Sequence, residues 1–516
     1  MLSRTNRSYF SADELQNKIN HLRELYKPVN LNEVFYNSKV NAINRLNFIL
    51  RHTTRKNLQE SEFENLLLCA LTAVYFFGMR LRIKRLTSKI GLHWFSNRDF
   101  RKAEAAFQKT MDMLLPERSE STIRITLRFF SDTSLWPYES FVTQILDLVL
   151  YFDKANMRLF NLLLSDIHYV LFSDIKCSRH RMRVLYELLN SNNWVIDKSK
   201  LLPFVTRLLD FFAHSSGKIE SRLTVYKYLH RGFEVCLLRI FERAQNSHRM
   251  IIITTMLNWF TMVRVNEDDV LMFSSLLDRA AQLYKVVSFS DSLSESLINH
   301  ILIHLVSSDN SFYSLTGFRL LQRLFDRHSN TDYLVNPMIY YEFLRGSLIV
   351  GKYENGDKSF LRLHRERIQV HFMRACKKHC QNIVVLKALY CVTCILILEV
   401  PCGLSAAMAT YVAMTIQAYA LSSHGMPATS RYWMHCLVIC IMSLICWVHK
   451  APVLYNYVNQ IIFRRARDAP HLNPPLMPIY HIITHTPTWN KPCLFFEDWE
   501  LRYALWKHFH VRTEDV

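Results

Sequence analysis

The stretch SLTGFRLLQRLFDRHSN, residues 314–330, decides how the chain is read. Its apolar side chains Phe318, Leu321, Leu324 and Phe325 lie three, four and seven residues apart, the spacing of one face of an α-helix. The stripe then gives way to Asp326, Arg327, His328, Ser329 and Asn330. An acid, a base, an imidazole and a hydroxyl side by side invite a catalytic reading. The stripe before them argues for a helix end instead. Arg and His complement the C-terminal dipole, and Asn330 suits the left-handed cap. Consecutive residues on a helix point in different directions, so Asp326, Arg327 and His328 are not expected to converge on one substrate.

The same texture runs along the chain. NAINRLNFILRH (41–52), FVTQILDLVLYF (141–152), MRLFNLLLSDIHYVLF (157–172), SKLLPFVTRLLDFFAH (199–214), SSLLDRAAQLYKVV (274–287) and ESLINHILIHLVSS (295–308) all carry apolar residues at helical spacing. Short polar breaks such as PERSES (116–121), NSNNW (190–194) and SSDNS (307–311) separate them. About nineteen helical segments follow from this periodicity, and no convincing period-2 strand. Glycine is scarce, 10 in 516 residues, against an average near 7%. That argues against turn-rich β folds and glycine-rich nucleotide loops. Half the residues are hydrophobic, enough for a large core. The fold expected is all-α, an armadillo/HEAT-like α-solenoid forming one elongated rod, without a strict repeat in the letters. The organisation expected is a divergent basic helical segment over 1–100, the rod over 101–480 and a short C-terminal segment over 481–516.

Three apolar stretches raise the question of membrane spans. NLLLCALTAVYFFGM (65–79) and ALYCVTCILIL (388–398) are shorter than the roughly 20 residues needed. YWMHCLVICIMSLICWVH (432–449) is long enough, and a central core helix is the expected reading against a transmembrane one. The start, MLSRTNRSYF, is polar and basic and does not resemble a secretory signal. Twelve cysteines are scattered through apolar segments, which predicts free thiols in a reducing, cytosolic setting.

Several motifs suggest chemistry. CGLSAA (402–407) places Ser405 in G-x-S-x-A, a degenerate nucleophile elbow. An elbow needs a strand before it, whereas a helical segment ending at Pro401 precedes this one. Ser405 is expected to N-cap a helix beginning near Ala406. CKKHC (376–380) and CVTC (391–394) bring cysteines to zinc-like spacing, but both lie in helical, apolar contexts, and Cys376, Cys380, Cys391 and Cys394 are read as core residues. No catalytic residue, metal or cofactor is expected.

The net charge is +19, which favours an anionic partner. MRLRIKRLTSKIG (79–91) supplies Arg80, Arg82, Lys84, Arg85 and Lys89 with no acid among them. These five are the candidate lipid-binding residues, since acidic lipid attracts such clusters at roughly 1 kcal/mol per cation. Further basic clusters are RHRMR (179–183), RLHRERIQVHFMRACKK (362–378) and FRRAR (463–467). No zinc finger, RNA-recognition signature or glycine-containing KH loop favours nucleic acid, and none is expected as a partner.

With these residues in view, the chain resembles the Rolling blackout family, also called eighty-five-requiring proteins. The likeness is clearest over about 315–480. It rests on the order and spacing of LFDRHSN (324–330), KSFLRLHRERIQVHFMRACKKHC (358–380), ALYCVTCILILEVPCG (388–403) and APVLYNYVNQIIFRRARDAPHLNP (451–474). Weaker likeness reaches back to FSDTSLWPYESFVTQIL (130–146), and the first 100 residues match poorly. The resemblance implies a helical rod with no catalytic centre. It implies a peripheral-membrane scaffold at the cytoplasmic face of the plasma membrane and in the cytoplasm, holding anionic lipid. Its partner would be the phosphatidylinositol 4-kinase alpha complex, recruited through a tetratricopeptide adaptor. In that family the DRHSN-like segment is architectural. Two departures stand out. The first cysteine is Cys69, so the family's N-terminal palmitoylated cysteines have no match, and the long C-terminal tail that grips the adaptor has no counterpart. A diverged, shortened member with weakened anchoring is therefore expected. The alternative is a cytosolic or nuclear helical adaptor for another acidic partner.

Overall fold

The computed structural model describes residues 10–26, 36–53, 58, 60–86, 97–152, 157–171, 173–194, 198–216, 224–262, 267–342, 348–423, 425–476 and 491–514. Among them every regular element is a helix, and no strand occurs. The chain gathers into two compact units, Met1–Arg243 and Ala244–Val516. The first holds α1 (Ala12–Tyr26), α2 (Tyr36–His52), α3 (Glu60–Leu86), α4 (Asn97–Asp132), α5 (Glu139–Phe152), α6 (Arg158–Leu171), α7 (Ile175–Asn190), α8 (Lys198–Ser216) and α9 (Thr224–Arg243). The second holds α10 (Asn246–Met262), α11 (Glu267–Leu283), the short α12 (Phe289–Ser292) and α13 (Glu295–His300), and α14 (Ser311–Phe325). It continues with α15 (Asn355–Lys378), α16 (Ile383–Glu399), α17 (Gly403–Ser422), α18 (Ala428–His449), α19 (Pro452–Asp468) and α20 (Asp498–Glu514).

Within each unit a helix packs mainly on those one to three places further along the chain. That near-neighbour stacking is the α-solenoid arrangement. The periodicity dictates it locally. α6 buries Leu159, Phe160, Leu163, Leu164, Ile167 and Leu171, one continuous stripe. α14 buries Phe318, Leu321, Leu324 and Phe325 as their spacing predicts. PERSES marks a kink between two helical stretches rather than a loop. α4 runs through it, broken only by non-helical backbone at Arg118 (φ −127°, ψ 35°).

The core of the second unit is made by helices that are apolar on all sides. α18 buries an unbroken run from Met434 to Cys446, and α16 one from Ala388 to Glu399. The two pack on each other, with α14, α17 and α19 around them. α17 and α18 are both long and apolar enough to cross a membrane by length and composition, but 78% of the apolar window of α18 is buried inside the protein, against 56% for α17. The neighbours of 432–449 are therefore other helices, as a core helix requires.

α13 continues into a π-helical turn, Ile301–Val306. Gly317 of α14 lies against it, and a Cβ there would stand 2.8 Å from the Val306 backbone nitrogen. Backbone cannot yield as a side-chain tip can, so Gly317→Ala is expected to destabilise the protein by ~1–3 kcal/mol. A lower denaturant midpoint with an unchanged slope would register it.

Candidate functional site

The segment that invited a catalytic reading is built as follows. α14 stops at Phe325, and Asp326 leaves it with extended backbone (φ −83°, ψ 93°). The Asp326 carboxylate accepts the N–H groups of Asn330 at 2.8 Å and Thr331 at 2.7 Å, closing a tight turn. Ser329 takes the positive φ, 59°. Asn330, expected to adopt it, has φ −75°. Its amide is used elsewhere, donating to the Ile349 carbonyl at 2.9 Å and accepting the Ile349 N–H at 2.8 Å.

Because the chain has left the helix, Arg327 and His328 do not fan apart. This corrects the expectation drawn from helical geometry. Both reach Glu399 at the end of α16. Arg327 Nε donates to Glu399 Oε2 at 3.0 Å, His328 Nδ1 lies 2.9 Å from Glu399 Oε1, and the N–H groups of both residues point at Oε1. Arg327 also bonds Asp357 at 3.0 Å, the Glu399 carbonyl at 3.0 Å and the Val287 carbonyl at 3.1 Å, and stacks on Phe289. Asp357 accepts the Phe289 N–H at 2.8 Å. Both carboxylates are fully buried. One guanidinium thus ties 287–289, the end of α14, the start of α15 and the end of α16. A cleft of about 410 Å³ borders this knot. Both arginines on its wall are already paired, Arg323 with Asp278 and Arg327 with Glu399. The convergence is on a buried side chain, so the knot is architectural.

Ser405 is also interior. Helix α17 begins at Gly403, two residues beyond Pro401, so Ser405 sits in the first turn and is not the N-cap. Its hydroxyl bonds the Val400 and Cys402 carbonyls and accepts the Cys402 N–H at 3.3 Å. It is fully buried and follows a helix, the opposite of an exposed elbow on a strand. Cys376, Cys391 and Cys394 are buried in helices, and Cys380 is half-buried. Burial pushes the Cys376 and Cys391 thiols up to about 12, as expected for core cysteines.

The basic clusters fare differently. Arg80, Arg82, Lys84 and Arg85 lie on the last turns of α3, but their side chains, and Lys89 entirely, fall outside the described residues. In RHRMR, Arg181 is buried against Trp136 and paired with Asp166, and Arg183 reaches Glu139. In FRRAR, Arg465 is fully buried. Its Nε donates to the Leu494 carbonyl at 2.7 Å and its Nη1 to those of His435 at 3.1 Å and Leu472 at 3.4 Å, with the Phe495 ring 5.7 Å away. No carboxylate joins it among the described residues, and burial pushes it down to about 10. Two clusters that read as solvated faces are therefore partly core.

The third cluster stays on the surface. α15 carries seven Lys and Arg against two acids, and one of those, Asp357, belongs to the knot. Arg362, Arg374 and Lys377 form no ion pair among the described residues, and all three are exposed. α15 packs on α17, where Lys377 lies over the Tyr419 ring. α17 has no charged residue, yet Ala407, Tyr411, Ala418 and Leu421 are exposed. On its other flank α17 meets α20. Gln417 exchanges bonds with the Phe496 backbone at 2.8 and 3.0 Å, and Gly403 sits against Phe509. α20 buries Leu501 and Ala504 and turns Trp499 (76% exposed), Tyr503 and Trp506 (60% exposed) outward. Sequence reasoning passed over α17 and α20. The signals were present: a charge-free helix beside a basic one, and aromatics spaced four and three residues apart.

Acid should weaken this fold. Burial first of all lowers the imidazoles of His230, His300, His364, His371 and His435 below their ordinary 6.5. The unfolded chain binds protons near pH 6.5 that the folded state refuses. Their contribution to stability is complete above that pH and is lost as pH falls through the depressed folded values. Thermal midpoints are expected to hold between pH 7.5 and about 6.5 and to drop steadily from there to 5.5, before carboxylates titrate. A flat profile would contradict the burial of these rings.

A chain that stacks helix on neighbouring helix, and spends its buried charges on joining them, is a helical-repeat protein of the armadillo type. The family model for EFR3, armadillo repeat, matches residues 96–491, and the chain belongs to this EFR3, or Rolling blackout, family. No match was found among curated proteins or among solved structures.

Proposed function

We propose that the protein is a non-enzymatic scaffold acting at the cytoplasmic face of the plasma membrane, where it helps recruit a phosphatidylinositol 4-kinase alpha complex through a tetratricopeptide adaptor. The observation that carries this reading is the EFR3 armadillo match over 96–491. Two features agree with it. Arg327 and His328 of the DRHSN segment join helices through Glu399, and Ser405 is sealed in the core. A stacked-helix body offers extended surfaces for partners. In this reading residues 1–100 are the divergent basic segment, 101–480 the armadillo body and 481–516 a short C-terminal segment.

Co-purification of the tagged chain from its own tissue tests the partner. Enrichment of the kinase and its tetratricopeptide adaptor supports the reading, and enrichment of unrelated partners without either removes it. The membrane side is tested by reversing Arg80, Arg82, Lys84 and Arg85 to Glu together. At roughly 1 kcal/mol per cation, affinity for anionic liposomes is expected to fall by orders of magnitude. Wild-type binding is expected to weaken with salt as the Debye length shrinks, to about 8 Å at physiological ionic strength. Unchanged binding in the variant would place the membrane contact elsewhere.

A further inference from the structure

We propose that α15, α17 and α20 together form a second membrane-docking surface, separate from the basic stretch 79–91, that seats the second unit on the headgroup layer of an acidic lipid bilayer. The inference rests on the membrane-scaffold reading for the compartment, and on the geometry of these three helices for the surface itself.

The three helices adjoin. α17 lies between the other two, held to α20 through Gln417 and Phe496 and to α15 through Tyr419 and Lys377. Its exposed side, with Tyr411 and Leu421, falls on the helix between these two borders. A charge-free exposed helix side is unusual on a water-facing surface. Opposite its buried side α20 should be polar, but it shows Trp499, Tyr503 and Trp506. Trp and Tyr combine an apolar ring with a polar N–H or O–H, and they concentrate where a membrane meets water.

The charges complement that reading. Of the seven cations on α15, Arg367 and Lys378 pair with Glu295 and Asp309, while Arg362, Arg374 and Lys377 form no ion pair among the described residues. Leu363 and Val370 are exposed on the same helix. Cations on long stems beside apolar side chains suit a bilayer surface, where the stems lie along acyl chains and the charges reach lipid phosphate. A neutral apolar protein groove would leave these charges unpaired. Of the acids near α20, Asp498 holds Arg502, while Glu497 and Glu500 are exposed and form no ion pair among the described residues, so the attraction to anionic lipid comes from the α15 side of the surface.

The test uses the full chain with phosphatidylcholine vesicles, with and without phosphatidylserine. Two variants are compared with wild type, W499A/Y503A/W506A and R362E/R374E/K377E. All six positions are exposed, and an unchanged unfolding midpoint confirms that each variant folds. Both are expected to bind phosphatidylserine vesicles roughly tenfold less tightly or worse, since loss of a few modest contacts suffices. The aromatic contribution should survive added salt and the basic one should not. Brominated lipid should quench tryptophan fluorescence in wild type, and far less in the aromatic variant. If both variants bind like wild type while charge reversal in 79–91 abolishes binding, this surface is overturned and the membrane reading stands. If wild type ignores phosphatidylserine vesicles, both fall. If the aromatic variant instead dissolves a dimer of the chain, or loses a protein partner with vesicle binding intact, the surface is a protein interface and the proposal is wrong.

Discussion

Glu399→Leu is expected to destabilise the second unit by about 3–5 kcal/mol, the cost of leaving a buried charge without its partner. Glu399 accepts from the Arg327 side chain, the His328 ring and the N–H groups of both residues. Removing it leaves Arg327, which is mostly buried, with only Asp357 as a carboxylate partner among the described residues. The loss should appear as a large drop in the unfolding midpoint. The triple variant Glu399→Leu, Arg327→Met, Asp357→Asn is expected to recover part of it, since Arg327 serves both buried carboxylates and replacing every member of a buried charged group is often close to neutral. If the triple variant is less stable than Glu399→Leu alone, these charges are not what holds the segments together. The knot joins four segments, so hydrogen exchange should rise together around 287–289, 325–330, 355–360 and 395–400.

Arg465→Met is expected to release the C-terminal helix. Arg465, on α19, is the buried link to α18 at His435, to Leu472 and to the turn at Leu494 that leads into α20. Methionine fills much of the volume but donates nothing, and each stranded carbonyl costs on the order of 1–3 kcal/mol. Arg465→Lys should fail as well, though less severely, because a single ammonium cannot span carbonyls reached by a planar fork. The measurement is hydrogen exchange over 494–510. Faster exchange there at denaturant concentrations that leave α16 and α18 protected is the expected result. Exchange identical to wild type would show that α20 is held without Arg465, by contacts such as Gln417 with Phe496 and Tyr457 with Glu497. The variant also bears on the docking surface, because loosening α20 displaces Trp499, Tyr503 and Trp506 without altering them.

The helical class was written in the letters. Apolar residues recur with period 3.6, glycine is scarce, and the breaks between stripes are short. So were the core position of 432–449, which is apolar on every side, and the helix end after Phe325. The order of several segments was enough to suggest the family that the match over 96–491 establishes. The tertiary structure decided which charges are free. Arg181, Arg327 and Arg465 look like their exposed neighbours in sequence, yet each is buried by a helix or turn distant along the chain: Arg181 by Trp136, Arg327 by α15 and α16, Arg465 by the turn before α20. Burial is set by such long-range contacts, which local periodicity does not encode. The same holds for the reverse case. The sides of α17 and α20 that stay uncovered are chosen by which neighbours arrive and which do not. Their letters differ little from those of a core helix, because an apolar residue carries the same hydrophobic signal whether protein or something else is destined to cover it.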